Sequence, residues 1–337
     1  MKPIELIIKK MPKAELHLHI EGTLEPNLMF KIAKRNKIKL KYRTIEQVKK
    51  AYNFSNLQEF LDIYYESCKV LVKEKDFYDL TYAYLKKAHG QNVIHAEIFF
   101  DPQTHTERGI KFSTVINGIH RACVDAKKKM GITTKSILCF LRHLDQKSAF
   151  EALEQALPYK KWIVAVGLDS GERGNPPSKF KKVYAKARKN GFLAVAHAGE
   201  EGPAEYVWEA LRLLKVSRID HGNHCLDDEK LVQTLAKIKM PLTVCPLSNL
   251  KLRVVKDLKQ HPLRKMIERG LTVTINSDDP AYFGGYVNEN YLALNKAIGL
   301  TKGELHQLAK NSFEASFLSE KEKREIAGKV EKIFKAD

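Results

Sequence analysis

Cysteine is sparse and scattered. The 337 residues hold five, Cys68, Cys123, Cys139, Cys225 and Cys245, and no two form a Cys-x-x-Cys pair. An odd, widely spaced set builds neither a disulfide framework nor a thiolate zinc knuckle, and it points to a reducing compartment. Long apolar runs of the membrane-protein kind are missing too, while 44% hydrophobic positions are too many for a disordered chain. The stretch 1–13 has one short apolar run at 4–8, broken by Glu5 and followed by Lys9, Lys10, Pro12 and Lys13, so no signal or transit peptide is expected. The expected setting is the cytoplasm. No Gly-x-Gly-x-x-Gly follows an early strand, which weighs against an open, doubly wound dinucleotide-binding sheet. No fixed-period repeat, composition break or Pro/Gly/Ser-rich linker divides the chain, so residues 1–337 are expected to form one elaborated domain.

Acidic residues are also in deficit, 40 against 58 lysines and arginines, for a formal charge of +18. Such a field raises affinity for polyanions. The basic residues are nevertheless strewn over the whole chain, denser only at 31–43, with no aromatic-interleaved basic repeat or basic tail. A Lys-rich solvated surface is the expectation, with no nucleic-acid or membrane partner.

What the sequence has is a regular alternation. Eight short runs rich in β-branched and aliphatic residues fall at 16–20, 93–100, 136–141, 163–168, 192–197, 218–220, 242–245 and 271–276. Helical patterns lie between them at 55–72, 113–130, 177–189, 204–214, 227–238 and 262–269. Strand, helix, strand at this spacing requires parallel pairing through right-handed crossovers. Eight such units predict an α/β fold, a (β/α)8 TIM barrel, whose usual size of about 250 residues leaves room for additions. The first crossover, about 23–90, is too long for one helix and is expected to add helices that cover the C-terminal mouth. The run 287–335 adds more at the end of the chain.

Function in a parallel barrel gathers where strands end at their C-terminal side. The residues found there are His17, His19, Asp101, Arg142, His143, Asp169, His197, His221, Ser248, Asn249, Asp278 and Asp279. His17 and His19 lie two apart on a strand, so both imidazoles point to one face. Such a pair becomes specific only when other ligands converge. In a closed barrel the eighth strand neighbours the first, which sets Asp278 beside the pair, with His197 facing them across the mouth. Three imidazoles and one carboxylate suit zinc with a position left for water.

Glu200 follows in His197-Ala198-Gly199-Glu200-Glu201-Gly202-Pro203, where two glycines let the backbone fold sharply. Buried beside the metal it would be a general acid; alternatively it is an ordinary acidic residue at a helix N-terminus. His221, ending the sixth strand, would orient or deprotonate the attacking water, or else be a fifth ligand or a cap. Asp279 would turn into the ligand pocket, unless the Asp278-Asp279-Pro280 run caps the next helix. His224 reads as a solvated loop residue.

The runs Lys13-Ala14-Glu15-Leu16-His17-Leu18-His19-Ile20-Glu21-Gly22, His197-Ala198-Gly199-Glu200, Arg218-Ile219-Asp220-His221-Gly222 and Ser277-Asp278-Asp279-Pro280 resemble the adenosine/adenine deaminase family of metal-dependent hydrolases. The resemblance extends over about 11–317. It implies one zinc ion per chain on His17, His19, His197 and Asp278, Glu200 as proton donor, His221 as a catalytic histidine and Asp279 as a purine contact.

Within that family the chain is similar to the adenine deaminase branch. Adenosine-processing members carry Asp where Glu21 stands, and the longer side chain is expected to point into the pocket, crowd a ribose and contact the base. The segments 99–105 and 279–286 resemble the same branch. The loop 168–172, Leu168-Asp169-Ser170-Gly171-Glu172, departs from the glycine-containing loop of the adenosine enzymes, so the donor to that edge of the purine is unassigned. The resemblance implies hydrolysis of adenine to hypoxanthine and ammonia, in purine salvage and nitrogen catabolism, on a small-molecule substrate with water as co-reactant. An adenine nucleoside is the alternative within the same chemistry. A barrel that binds without catalysis is the alternative from another class. An oligomer is compatible with all of these.

Overall fold

The computed structural model describes residues 4–335. Its centre is one sheet of eight parallel strands in sequential order, β1 to β8. They are β1 Lys13–His19, β2 Val93–Phe100, β3 Thr133–Leu141, β4 Ile163–Asp169, β5 Leu193–Ala198, β6 Arg218–His221, β7 Pro241–Val244 and β8 Thr272–Ile275. Each expected run coincides with one strand. β1 and β3 start three residues earlier than expected, because polar residues such as Lys13 are taken into the ladder with Val93.

The seam between β8 and β1 is closed without a full ladder. A parallel bridge joins Leu18 to Asp278, with His19 N–H donating to the Asp278 carbonyl and Asp278 N–H to the His17 carbonyl, both at 3.1 Å. Lower down, the Asn276 side-chain oxygen accepts from Leu16 N–H at 2.8 Å. The backbone that closes the barrel is therefore the backbone that carries His17, His19 and Asp278.

Apolar residues divide between two layers. Phe99, Ile137, Cys139, Ala165 and Val195 from β2 to β5 form a small cluster of their own, with the Phe99 ring centroid 5.1 Å from that of His17. Leu16, Leu18, Ile98, Leu138 and Val166 join the much larger layer shared with the helices. Burial on both sides is what makes these strands read as near-continuous apolar runs.

Four helices fill the first crossover, Pro26–Asn36, Ile45–Ala51, Leu57–Cys68 and Glu74–Gly90. Leu57–Cys68 lies over the mouth and contributes Leu57, Phe60, Leu61, Tyr64 and Tyr65 to the pocket. Its start is set by Asn56, whose side chain accepts from Glu59 N–H. Glu74–Gly90 instead packs against Phe112–Met130. At the C-terminal end of the chain, Lys302–Glu314 lies across the seam: Ser312 Oγ accepts from Ala14 N–H at 3.0 Å, and the Asn311 amide donates to the Val273 carbonyl at 2.9 Å. Among the described residues no helix is long and apolar enough to cross a membrane.

Candidate active site

Period-two alternation along β1 sends His17 and His19 to the same side, their ring centroids 5.5 Å apart. His17 Nδ1 lies 2.9 Å from Thr243 Oγ1, and that hydroxyl donates its proton to Asp220 Oδ1 at 3.0 Å. Nδ1 must therefore carry the imidazole proton, which leaves a bare lone pair on Nε2. Nε2 is buried without a hydrogen-bond partner. His19 Nδ1 lies 3.3 Å from Asp169 Oδ2, and His197 Nδ1, at the end of β5, lies 3.5 Å from Asp220 Oδ2, both close contacts short of a hydrogen bond. An oxygen behind each ring turns its Nε2 inward, the arrangement that orients metal-ligating histidines.

The inward nitrogens meet one carboxylate. Asp278 Oδ1 lies 3.2 Å from His17 Nε2 and 3.4 Å from His19 Nε2, while His19 Nε2 and His197 Nε2 are 3.1 Å apart. Those two facing nitrogens can share one proton or, both unprotonated, turn their lone pairs on one cation. Three imidazoles with one carboxylate are a zinc-type set, and His221 stands as near: His17, His197, His221 and Asp278 each offer an atom within 4.8 Å of the others. Burial alone would raise the Asp278 carboxyl, but the neighbouring His17, His221 and His19 outweigh it and hold it well below the carboxylate range. Burial drives the basicity of His197 down to about 4.

Asp278 and His221 both sit in the left-handed backbone region, at φ 62° and 64°. For non-glycine residues this costs about 1–3 kcal/mol each and persists only where the surroundings enforce it. Asp278 thus lies beyond the end of β8, as the expected run 271–276 already had it. The turn at Asp278, not strand alternation, sets its carboxylate beside His17 while Asp279 faces the cavity.

His221 Nε2 stands 3.5 Å from Glu200 Oε1 and 3.9 Å from Asp278 Oδ2. Glu200 is placed by a device not foreseen from the sequence. The amides of Gly199, Glu200, Glu201 and Gly202 all donate to the Glu172 carboxylate, at 2.7, 3.0, 2.8 and 2.7 Å. A Cβ on Gly202 would come within 2.7 Å of that carboxylate. Burial, reinforced by the Asp278 charge, raises the Glu200 carboxyl well above its ordinary range. Burial likewise drives His221 well below its own. The pair is thereby biased toward a protonated acid and a neutral imidazole.

Above these groups lies a pocket with about 380 Å³ of empty space, bounded by Asp279, Asp101, Asp169, Tyr64, Phe60 and Phe283 along with His19, His197, Glu200, His221 and Asp278. Asp279 approaches Gly22 so closely that a Cβ there would collide with its carboxylate. It heads the short helix Pro280–Phe283 but makes no side-chain cap bond, and burial raises its carboxyl well above the usual range.

Glu21 requires a correction. β1 ends at His19, and Glu21 opens a 3₁₀ turn, Glu21–Thr23, so strand alternation no longer governs its direction. Its Oε1 accepts from His105 Nε2 at 2.9 Å and from the Asp101 amide at 3.3 Å, and it is absent from the pocket lining. Other strand-end residues also lie outside the lining. Arg142 donates to the carbonyls of His197 and Asn175, each at 2.8 Å, and Asn249 meets His261 at 3.2 Å. His143 bonds Ser170 Oγ at 2.8 Å. His224 pairs with Asp227 on the surface at 2.7 Å.

A parallel barrel with such a mouth has the layout of a metal-dependent hydrolase. The chain belongs to the adenosine deaminase family, whose model matches residues 12–333. It is 60% identical to a protein of Acinetobacter baylyi named adenine deaminase, over 97% of this chain and 98% of the other. Among solved structures it is similar to an adenine deaminase from Arthrobacter aurescens, with a TM-score of 0.95 and 49% identity over 97% of this chain and all of the other. An amidohydrolase from Burkholderia ambifaria, solved with bound Zn, superposes with a TM-score of 0.89 at 26% identity over 99% of this chain and 95% of the other.

Proposed function

We propose that this chain hydrolyses adenine to hypoxanthine and ammonia, with one zinc ion held by His17, His19, His197 and Asp278. The chemistry rests above all on Glu200, an acid buried 3.5 Å from His221 at the edge of the ligand cluster. The substrate rests on end-to-end likeness to relatives named adenine deaminase. Zinc held by those four side chains would supply a polarised water near neutral pH.

The base enters with C6 toward the ligand cluster. Glu200 donates its proton to N1, which draws electron density from C6 and makes it electrophilic. His221 takes the proton released by water as the oxygen adds to C6, and returns it to the departing amino group. Asp279 donates to N7 and fixes which face of the base is presented. As the C6 oxygen becomes a carbonyl, its remaining proton returns to Glu200, so across the cycle one water is consumed, the C6–N bond breaks and a C6–O bond forms.

We take residues 1–337 as one barrel domain, with the 23–90 and 287–335 additions part of it. The five free, buried cysteines support a cytoplasmic setting, and a small-molecule substrate in purine salvage fits it.

Ammonia release from adenine, adenosine and deoxyadenosine, measured side by side on zinc-loaded protein, tests the reading. We expect kcat/KM for adenine to exceed that for adenosine by at least about a thousandfold. Equal or faster turnover of adenosine would overturn the substrate assignment and leave the chemistry standing.

A further inference from the structure

Asp101 has no part in the chemistry proposed above, yet one of its carboxylate oxygens is buried without a partner. It follows β2, is 2% exposed and lines the cavity. Its Oδ2 accepts from the Tyr64 hydroxyl at 3.0 Å. Its main-chain N–H donates to Glu21 Oε1 at 3.3 Å, and Glu21 is itself held by His105. Side chain and backbone are thus both fixed, while Oδ1 is buried with no hydrogen-bond partner; burial and the charge of the neighbouring Asp169 raise the Asp101 carboxyl, and a donor bound between them relieves that repulsion. A fixed, buried acceptor of this kind is costly unless a ligand supplies the donor.

The order of strands around the barrel indicates which donor. With C6 over the ligand cluster, N1 faces Glu200 after β5 and N7 faces Asp279 after β8. The cluster, on β1, β5 and the end of β8, and His221 on β6 close the rest of the circle, so the remainder of the base extends toward β4 and β2. Along that edge the purine perimeter runs N1, N3, N9, N7, while the pocket presents in turn Glu200, Asp169 at the end of β4, Asp101 after β2, and Asp279. N9 falls opposite Asp101. In free adenine N9 bears a hydrogen; in every N9-glycoside it does not.

We propose that Asp101 Oδ1 accepts the N9–H of the free base and is a specificity-determining residue for unsubstituted purine. The inference rests on the adenine reading and deepens it. It also reassigns the role expected of Glu21: Glu21 braces Asp101 from behind, and Asp101 meets the substrate. A site built to accept a substrate N–H rejects the analogue lacking it far more strongly than a merely tight apolar wall does.

Ammonia release from adenine and from 9-methyladenine, by wild type, Asp101→Asn and Asp101→Ala, tests this, with bound zinc measured in each preparation. Wild type is expected to prefer adenine by at least about a thousandfold. In Asp101→Asn the Tyr64 hydroxyl retains the amide oxygen, so an NH2 faces N9. Adenine kcat/KM should then fall at least about thirtyfold, mainly through KM, with 9-methyladenine unchanged. Asp101→Ala should lose adenine similarly and gain on 9-methyladenine as space opens. The ratio of the two substrates is read within one preparation, so partial misfolding does not disturb it. Adenine activity kept within about threefold, or a parallel fall on both substrates, would overturn the role of Asp101. Zinc-loaded wild type that releases no ammonia from adenine would instead overturn the functional reading on which the inference stands.

Discussion

The barrel buries charge at two levels, and the two are finished differently. In the lower half, Glu97 accepts from Arg218 Nη1 at 2.5 Å, from His95 Nε2 at 3.3 Å and from the Phe317 amide. Glu15 accepts from the Tyr84 hydroxyl at 2.7 Å and from the Ser277 amide and hydroxyl. All four of those carboxylate oxygens have protein donors. At the mouth, His17 Nε2, Asp101 Oδ1, both Asp169 oxygens and His221 Nδ1 are equally buried and have no hydrogen-bond partner. Buried polar groups in folded proteins are nearly always paired. Fully paired carboxylates below and unpaired groups above therefore separate acids that hold the barrel together from groups arranged for something that binds.

The largest effect should come from emptying the upper set. His17→Ala or Asp278→Ala is expected to abolish turnover and lower bound zinc while far-ultraviolet circular dichroism stays native, since the lost partner is a ligand and not the fold. Unchanged zinc with retained turnover in either variant would refute the ligand assignment. Glu200→Gln should keep zinc and lose about a hundredfold to ten-thousandfold in kcat. Were zinc lost with it, Glu200 would belong among the ligands. Glu172→Gln weakens the anchor of four amides, and a shift of the Glu200 loop should cost about a hundredfold in kcat with little change in zinc.

These two levels were not equally legible in the sequence. Strands buried on both faces announce themselves as apolar runs, and a strand-end list in a closed barrel already contains His17, His19, His197, His221, Asp278 and Asp101. Side-chain direction after a strand ends was not legible. Glu21 stands past the end of β1 at His19, where strand alternation no longer tells which way a side chain points, and the left-handed turns at His221 and Asp278 leave no mark in residue type. Glu172 shows no signal either, because it acts on backbone amides 27 to 30 positions away. Tyr64 came from a helix whose placement over the mouth is a tertiary fact.

Breaking the lower set should cost stability. Arg218→Met leaves Glu97, which is 0% exposed, without its cation, and an uncompensated buried charge costs about 3–5 kcal/mol. Urea unfolding measures it. Replacing Glu97 by Leu in the same chain should recover most of the loss, because an apolar pair leaves no orphan. If the double variant were no more stable than Arg218→Met alone, the pair would not be what holds that level.

The smallest effect is expected from Lys13, at the bottom end of β1. Its Nζ donates to the carbonyls of Ile8 and Met11, both at 2.8 Å. Burial lowers the ammonium to about 7, with the nearby Glu15 charge pulling the other way. Unfolded, the same lysine titrates near 10.4. Between those two values the unfolded chain binds more protons than the folded one, so this residue makes stability rise with pH from about 7 to about 10. The slope cannot exceed about 1.4 kcal/mol per pH unit. Lys13→Met removes the titrating group, keeps the aliphatic stem and should flatten that part of the profile in urea unfolding run at pH 7, 8 and 9. An unchanged slope would mean that Lys13 keeps its charge throughout and that two carbonyls and Glu15 suffice to hold a full cation at the floor of the barrel.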